Sequence, residues 1–150
     1  PLAPSLDVRA YNHVMGESTT TLFAVPSMAN KIRRGLPESL SATPFLMPSK
    51  AAAIRHSLEQ WFEEEGIRPA IVAVFEDGAL MNVFGQAGRG VFPAPTIVRD
   101  QICKNYGVKV VAELSTVRER FYAVSPERKI RHPGVARIVE SAKTGIFASA

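Results

Sequence analysis

Apolar positions along the chain recur with two different periods, and the switches between them mark alternating strands and helices. Residues 7–14 alternate weakly between polar and apolar, which suits a strand. Residues 19–25 (TTTLFAV) are β-branched and apolar and predict a second strand, stopped by Pro26. Ser27 is placed to cap a short helix over 28–34, which Gly35 ends. Residues 43–47 predict a short buried strand closed by Pro48. The clearest helix follows. Ser49 is a candidate N-cap, Ile54, Leu58, Trp61 and Phe62 share one face, and Gly66 supplies the stop.

Residues 70–75 (AIVAVF) form a continuous apolar run, the pattern of a strand covered on both faces. Next comes a helix on which Ala79, Leu80, Val83, Phe84 and Ala87 share a face. A short strand at 90–92 is ended by Pro93 and Pro95. Thr96 caps a third helix, with Ile97, Val98, Ile102 and Tyr106 inward and Gly107 at its end. Residues 108–112 and 120–124 predict two more strands. Pro133 suits the first turn of a last helix with Val135, Ile138, Val139 and Ala142 inward. This alternation predicts an α/β fold with a largely parallel sheet. In such sheets ligands sit beyond the carboxyl ends of the strands. Three loops qualify: Pro48-Ser49-Lys50, Glu76-Asp77-Gly78, and the run Phe92-Pro93-Ala94-Pro95-Thr96.

Composition narrows the class. With 150 residues, 46% hydrophobic and 21% charged, the chain fits a globular domain and not a disordered one. No apolar run approaches the roughly 18 residues that span a bilayer, so no membrane role is expected. The single cysteine, Cys103, excludes an intrachain disulfide, and with three scattered histidines it excludes a Cys/His zinc site. Residues 1–4 have neither the basic lead nor the apolar core of an export signal, which predicts a cytoplasmic protein. The chain opens on Pro1 inside a turn, as an excised piece of a longer protein would. Its net charge of +4 is spread along the sequence and forms no single basic element of the kind that binds nucleic acid.

The candidate chemistry is sparse. The run Gly85-Gln86-Ala87-Gly88-Arg89-Gly90 closes a helix and opens a strand, the reverse of a dinucleotide fingerprint. Glu76 and Asp77 admit two readings: the beginning of an oxygen-rich cation site, or acids that cap the following helix and offset its dipole. Ser49-Lys50 likewise reads as an anion-binding helix start or as a plain cap. His13, His56 and His132 have no partner at metal or catalytic spacing, and Cys103 reads as a core thiol. Trp61-Phe62 reads as core packing. No G-x-S-x-G motif is present. On residues alone this is a ligand-binding module with no catalytic constellation and no required cofactor.

Several runs carry a resemblance. They are 22–26 (LFAVP), 35–40 (GLPESL), 60–62 (QWF), 66–69 (GIRP), 75–77 (FED), 84–88 (FGQAG) and 90–95 (GVFPAP). Residues 106–108 (YGV) and 118–123 (RERFYA) complete the set. Together they resemble the effector-binding domain of LysR-type transcriptional regulators, and within that family the sodium-responsive activators of Na⁺/H⁺ antiporter synthesis. The resemblance implies a type II periplasmic-binding-protein-like fold of two α/β subdomains. Residues 16–114 would form the second subdomain, and residues 1–15 and 115–150 a partial first one, with crossings near Gly16-Glu17 and Leu114-Ser115.

The resemblance also implies an effector site at Pro48, Ser49, Lys50, Glu76, Asp77, Gly78, Phe92, Pro93 and Ala94. A sodium ion as effector would use Glu76 and Asp77. It implies a homo-oligomer, and DNA contact only through a helix-turn-helix outside this chain. An exposed apolar surface is expected where strands absent from the chain would pack. A periplasmic solute-binding protein, or an enzyme on the same fold, are the competing classes.

Overall fold

A computed structural model of the chain describes residues 10–125 and 133–147, with the backbone alone for Val135. The expected strand at 7–9 and the inward placement of Val135 lie outside what is described. The elements run β1 (Tyr11–Ala24), α1 (Pro26–Arg33), a 3₁₀ turn (Glu38–Leu40), β2 (Pro44–Pro48), α2 (Ile54–Glu65) and β3 (Ala70–Phe75). Then come α3 (Gly78–Gln86), β4 (Phe92–Pro95), a second 3₁₀ turn (Thr96–Val98), α4 (Arg99–Tyr106), β5 (Lys109–Ser125) and α5 (Pro133–Ser141). A π turn, Ala142–Ile146, follows α5. Two compact units result: Ser18–Glu119, and Pro1–Glu17 with Arg120–Ala150. Both passages between them are made inside continuous strands, β1 and β5.

In the larger unit, β4, β1 and β5 form one ladder and β2 and β3 another. β2 and β3 are parallel, whereas β1 and β4 are antiparallel, with Thr20 opposite Pro95 and Phe23 opposite Phe92. The expected parallel sheet is therefore mixed. A parallel bridge between Phe45 and Val91 joins the ladders. There Leu46 N donates to Val91 O at 2.8 Å and Val91 N to Pro44 O at 2.9 Å. β4 also runs through Pro93 and Pro95, which had been expected to end it. The two prolines are two residues apart, so both missing donors point the same way and Phe92 and Ala94 keep theirs.

The core has two parts. Leu22, Leu40, Phe45, Met47, Leu58, Phe62, Leu114 and Val117 belong to one cluster. Phe23, Leu46, Met81, Phe92, Ile102 and Val108 belong to the other. Phe23 and Phe92 stack with centroids 5.6 Å apart. Ile54, Leu58 and Phe62 of α2 are buried as the periodicity predicts, and Gly66 ends the helix at φ 68°. α1 is capped at Val25 with Pro26 in its first turn, not at Ser27. Proline is preset for that position and lacks only a donor that would be unpaired anyway. Of the residues expected inward on the third helix, Ile102 is buried, while Ile97, Val98 and Tyr106 are half-buried.

Three expectations fail for physical reasons. Within the described residues, the strands predicted at 7–14 and 19–25 merge into the single strand β1, because Gly16 is no turn. Its missing side chain makes room for Phe147, whose ring would lie 2.3 Å from any Cβ there. The strands predicted at 108–112 and 120–124 likewise form the single strand β5. The largest departure concerns β3 and α3. Ile71, Val72 and Val74 are about half exposed, and so are Leu80, Val83 and Phe84. Helix α3 is apolar on most sides, and the face it buries is that of Met81 and Gly85. The run at 70–75 is therefore an edge strand covered on one side.

In the smaller unit, Phe121 and Phe147 pack at 5.5 Å, and Val139 and Ala142 are buried. Ile138, expected inward, is 66% exposed.

Gly85 sets how closely α3 approaches β4. A Cβ there would fall 2.2 Å from the Phe92 ring, which is fully buried and cannot swing away. Gly85→Ala gains up to about 1 kcal/mol of helix propensity and incurs an overpacking cost of about 1–3 kcal/mol. The expected outcome in urea unfolding is a net loss of stability. Gly78→Ala, whose Cβ would meet nothing within 4 Å, is expected to be neutral or stabilising.

Candidate functional site

The strand directions create the site. β2 and β3 are parallel, and Val91 runs parallel to Phe45 before leading into β4. These three strands therefore deliver their carboxyl ends to one edge of the sheet. β1 is antiparallel to β4, so its Ser18–Thr21 stretch reaches the same edge. The loops beginning at Pro48, Glu76 and Thr96 meet there, as the sequence predicts for a ligand-binding edge.

Each predicted residue has a definite place. Pro48 is buried at the end of β2, Ser49 is half-buried and Lys50 is exposed. Ser49 N donates to Phe75 O at 2.8 Å, which ties the first two loops together. Ser49 does not cap α2. Its carbonyl accepts from Ala52 N at 3.0 Å, and the helix begins only at Ile54, after a turn. Glu76, Asp77 and Gly78 are exposed. Asp77 Oδ1 accepts from Ala79 N at 2.8 Å, so the carboxylate caps α3 and offsets its dipole. Among the described residues no group of three or more His, Cys, Asp or Glu gathers to hold a metal. Phe92, Pro93 and Ala94 are buried within the β4–β1 ladder. The chain reaches the edge itself at Pro95 and Thr96, which are half-buried.

The sequence did not point to the polar cluster at this edge. Thr19 Oγ1 lies 2.7 Å from Thr96 Oγ1 and 2.9 Å from Glu113 Oε1, and Thr21 Oγ1 lies 2.8 Å from Thr96 Oγ1. Ser18 Oγ donates to Thr19 O and accepts from Ile97 N at 3.2 Å. Ser18, Thr20 and Thr21 are all buried. The threonines at 19–21 read in sequence only as β-branched strand formers. Their partners lie more than seventy positions away. The network joins β1, the turn after β4, and β5. Its hydroxyls and one carboxylate can donate to or accept from a polar ligand, or retain one another's protons when none is bound.

The match to known proteins follows this geometry. The model of the family described as the LysR substrate binding domain matches residues 8–146. The chain belongs to the LysR substrate-binding domain family. The transcriptional activator protein NhaR of Escherichia coli (strain K12) is 30% identical over 114 residues, which is 76% of this chain and 38% of NhaR. The chain thus spans well under half the length of that relative. The AmpR effector-binding domain from Citrobacter freundii superposes with a TM-score of 0.67 at 15% identity, over 91% of this chain and 68% of that one. The effector domain of AmpR from Pseudomonas aeruginosa gives 0.68 at 16% identity, over 93% and 66%. This LysR domain therefore has the type II periplasmic-binding-protein-like fold, and its named relatives are transcriptional regulators. No helix among the described residues is long and apolar enough to cross a membrane.

Among the described residues, three titratable groups depart from their ordinary values. The hydrogen bond from Arg55 holds the Glu59 carboxyl down. Burial pushes the half-buried Cys103 thiol up, and it pushes the Glu119 carboxyl on β5 up as well. A carboxyl raised by folding binds its proton more tightly in the native state, so stability falls as pH rises through its folded pKa. Glu119→Gln is expected to raise the melting temperature at pH 7. That advantage should shrink as pH is lowered into the range where Glu119 is protonated, read by thermal unfolding across pH. Thr96→Val keeps the shape and removes the hydroxyl shared by Thr19 and Thr21. It is expected to cost about 1–3 kcal/mol in urea unfolding.

Proposed function

We propose that this LysR domain senses an effector at the carboxyl edge of its larger unit and controls antiporter expression in response to sodium. The observation that carries the reading is the convergence of the loops at 48–50, 76–78 and 95–98 on one polar edge, in a chain 30% identical to NhaR. Pro48, Ser49, Lys50, Glu76, Asp77 and Gly78 line the effector edge, and the buried β4 segment Phe92-Pro93-Ala94 supports it from behind. Glu76, the free oxygen of Asp77 and loop carbonyls are the proposed ligands for the cation, since hard cations favour oxygen donors. Residues 16–114 act as the second regulatory subdomain, and residues 1–15 with 115–150 contribute to the first. Effector binding shifts the population of subdomain placements, and the shift passes through a homo-oligomer to a helix-turn-helix outside this chain. The protein acts in the cytoplasm as an activator and catalyses no reaction.

The test replaces Glu76 by Gln and Asp77 by Asn in the intact protein and measures sodium-dependent expression from an antiporter promoter. Asparagine still caps a helix, so the pair of changes removes charge without removing the cap. The expected result is a lost sodium response with normal folding; an unchanged response overturns the cation assignment. Thermal shift against sodium, lithium, potassium and small anions reads the effector class directly. A ligand at ten times its Kd stabilises by about 1.4 kcal/mol.

A further inference from the structure

The larger unit carries a second concavity that shares only Glu113 with the edge described above. Its walls are Leu36 and Pro37 after α1, Trp61, Glu64 and Glu65 in the last turns of α2, and residues 112–116 of β5. β5 ends the order of its ladder, so this flank of the strand has no neighbouring strand among the described residues. The cavity measures about 380 Å³. That lies within the range of small-molecule sites, about 300–1,000 Å³.

Its electrostatics are one-sided. α2 ends on Glu63, Glu64 and Glu65 with no base in its last turn. The carbonyl end of a helix already carries about half a negative charge, so like charge is stacked on like. Three carboxylate residues line the cavity, and no lysine or arginine does. Glu64 accepts from Gln60 Nε2 at 3.2 Å, while Glu65 has no hydrogen-bond or ionic partner among the described residues. Trp61 is half-buried, its ring edge-on to Phe62 at 5.5 Å. An indole face attracts cations, and Leu36, Pro37 and Trp61 give an alkyl chain an apolar wall.

The geometry points to a binding site for a small organic cation, a short aliphatic amine or diamine, in the cavity between Trp61, the carboxyl end of α2 and β5. A bare metal ion gains nothing from the apolar wall, whereas an alkylammonium uses the wall and the carboxylates together. Glu113 Oε1 also accepts from Thr19. An ammonium drawn to Glu113 therefore competes with that hydrogen bond.

Trp61 is the only tryptophan in the chain, so its emission reports on this cavity alone. The experiment titrates the protein with 1,4-diaminobutane, with 1,4-butanediol as the neutral counterpart and sodium chloride holding ionic strength constant. Tryptophan fluorescence and calorimetry are read together. The expected result is saturable binding of the diamine, none of the diol, and affinity about tenfold weaker in Glu65→Gln and in Glu64→Gln. Both side chains are exposed, so the fold is expected to survive, as circular dichroism will check. Asp100→Asn, an exposed change on α4, is expected to leave the affinity as it was. The proposal is overturned by an equal response to the diol, by a response that never saturates in both readouts, or by affinity that neither glutamine variant changes. It is equally overturned if only a basic peptide saturates the site.

Discussion

Two hydrogen bonds hold the arrangement of the larger unit together: Leu46 N to Val91 O, and Val91 N to Pro44 O. They join the β2–β3 ladder to the β4–β1–β5 ladder, and they do so in parallel. Had Val91 met Phe45 in the opposite sense, β4 would end at the far edge from β2 and β3, and the three loops would not meet. Close approach is a condition of the bridge. A Cβ on Gly90 would fall 2.9 Å from Pro44 O, and one on Gly85 would strike the Phe92 ring. Of the glycines in 85–90, Gly90 therefore serves backbone contact, Gly85 makes room for the Phe92 ring, and Gly88 takes the left-handed turn at φ 76°, in keeping with a helix stop and turn rather than a phosphate loop.

Much of this was legible in the residues because it is local. Helix stops at Gly66 and Gly107 follow from the left-handed conformation that glycine tolerates. The buried face of α2 follows from its period. The family followed from runs such as 84–88 and 90–95. The edge at which the loops after Pro48, Phe75 and Pro95 meet was legible too, since it depends on strand order and direction. What was not legible is long-range. Thr19 finds Thr96 and Glu113 across 77 and 94 positions, and nothing in TTT announces those partners. Ser49 looks like a cap because serine before an apolar period usually is one, yet a turn at 50–53 delays the helix. Trp61 follows the helical period as a core residue should, but β5 leaves a cavity beside it.

The apolar run at 70–75 shows where pattern reading reaches its limit. Continuous apolarity states that a strand avoids water; it does not say which surface will cover it. Here β3 ends the order of its ladder, with α3 alongside, and both keep large side chains about half exposed. An edge strand with Val72 and Val74 outward invites pairing unless another surface protects it. The resemblance to LysR regulators had predicted an uncovered apolar surface, though where the absent strands of the first subdomain would pack. The structure has such a surface on β3 and α3 of the larger unit. It is consistent with the proposed homo-oligomer, in which a second chain removes those side chains from water.

The polar edge and the apolar flank make opposite demands. The edge holds Ser18, Thr19, Thr21, Thr96 and Glu113 in a network that is satisfied without ligand, since no buried side-chain polar atom among the described residues lacks a partner. A ligand must therefore offer hydrogen bonds as good as those it replaces, which favours selectivity over affinity. β1 and β5, which carry Thr19 and Glu113, are also the two strands that run on into the other unit. Any ligand that rearranges the Thr19–Glu113 contact acts on both connecting strands at once. The network thus ties the polar edge to the two strands that lead from this unit into the rest of the chain.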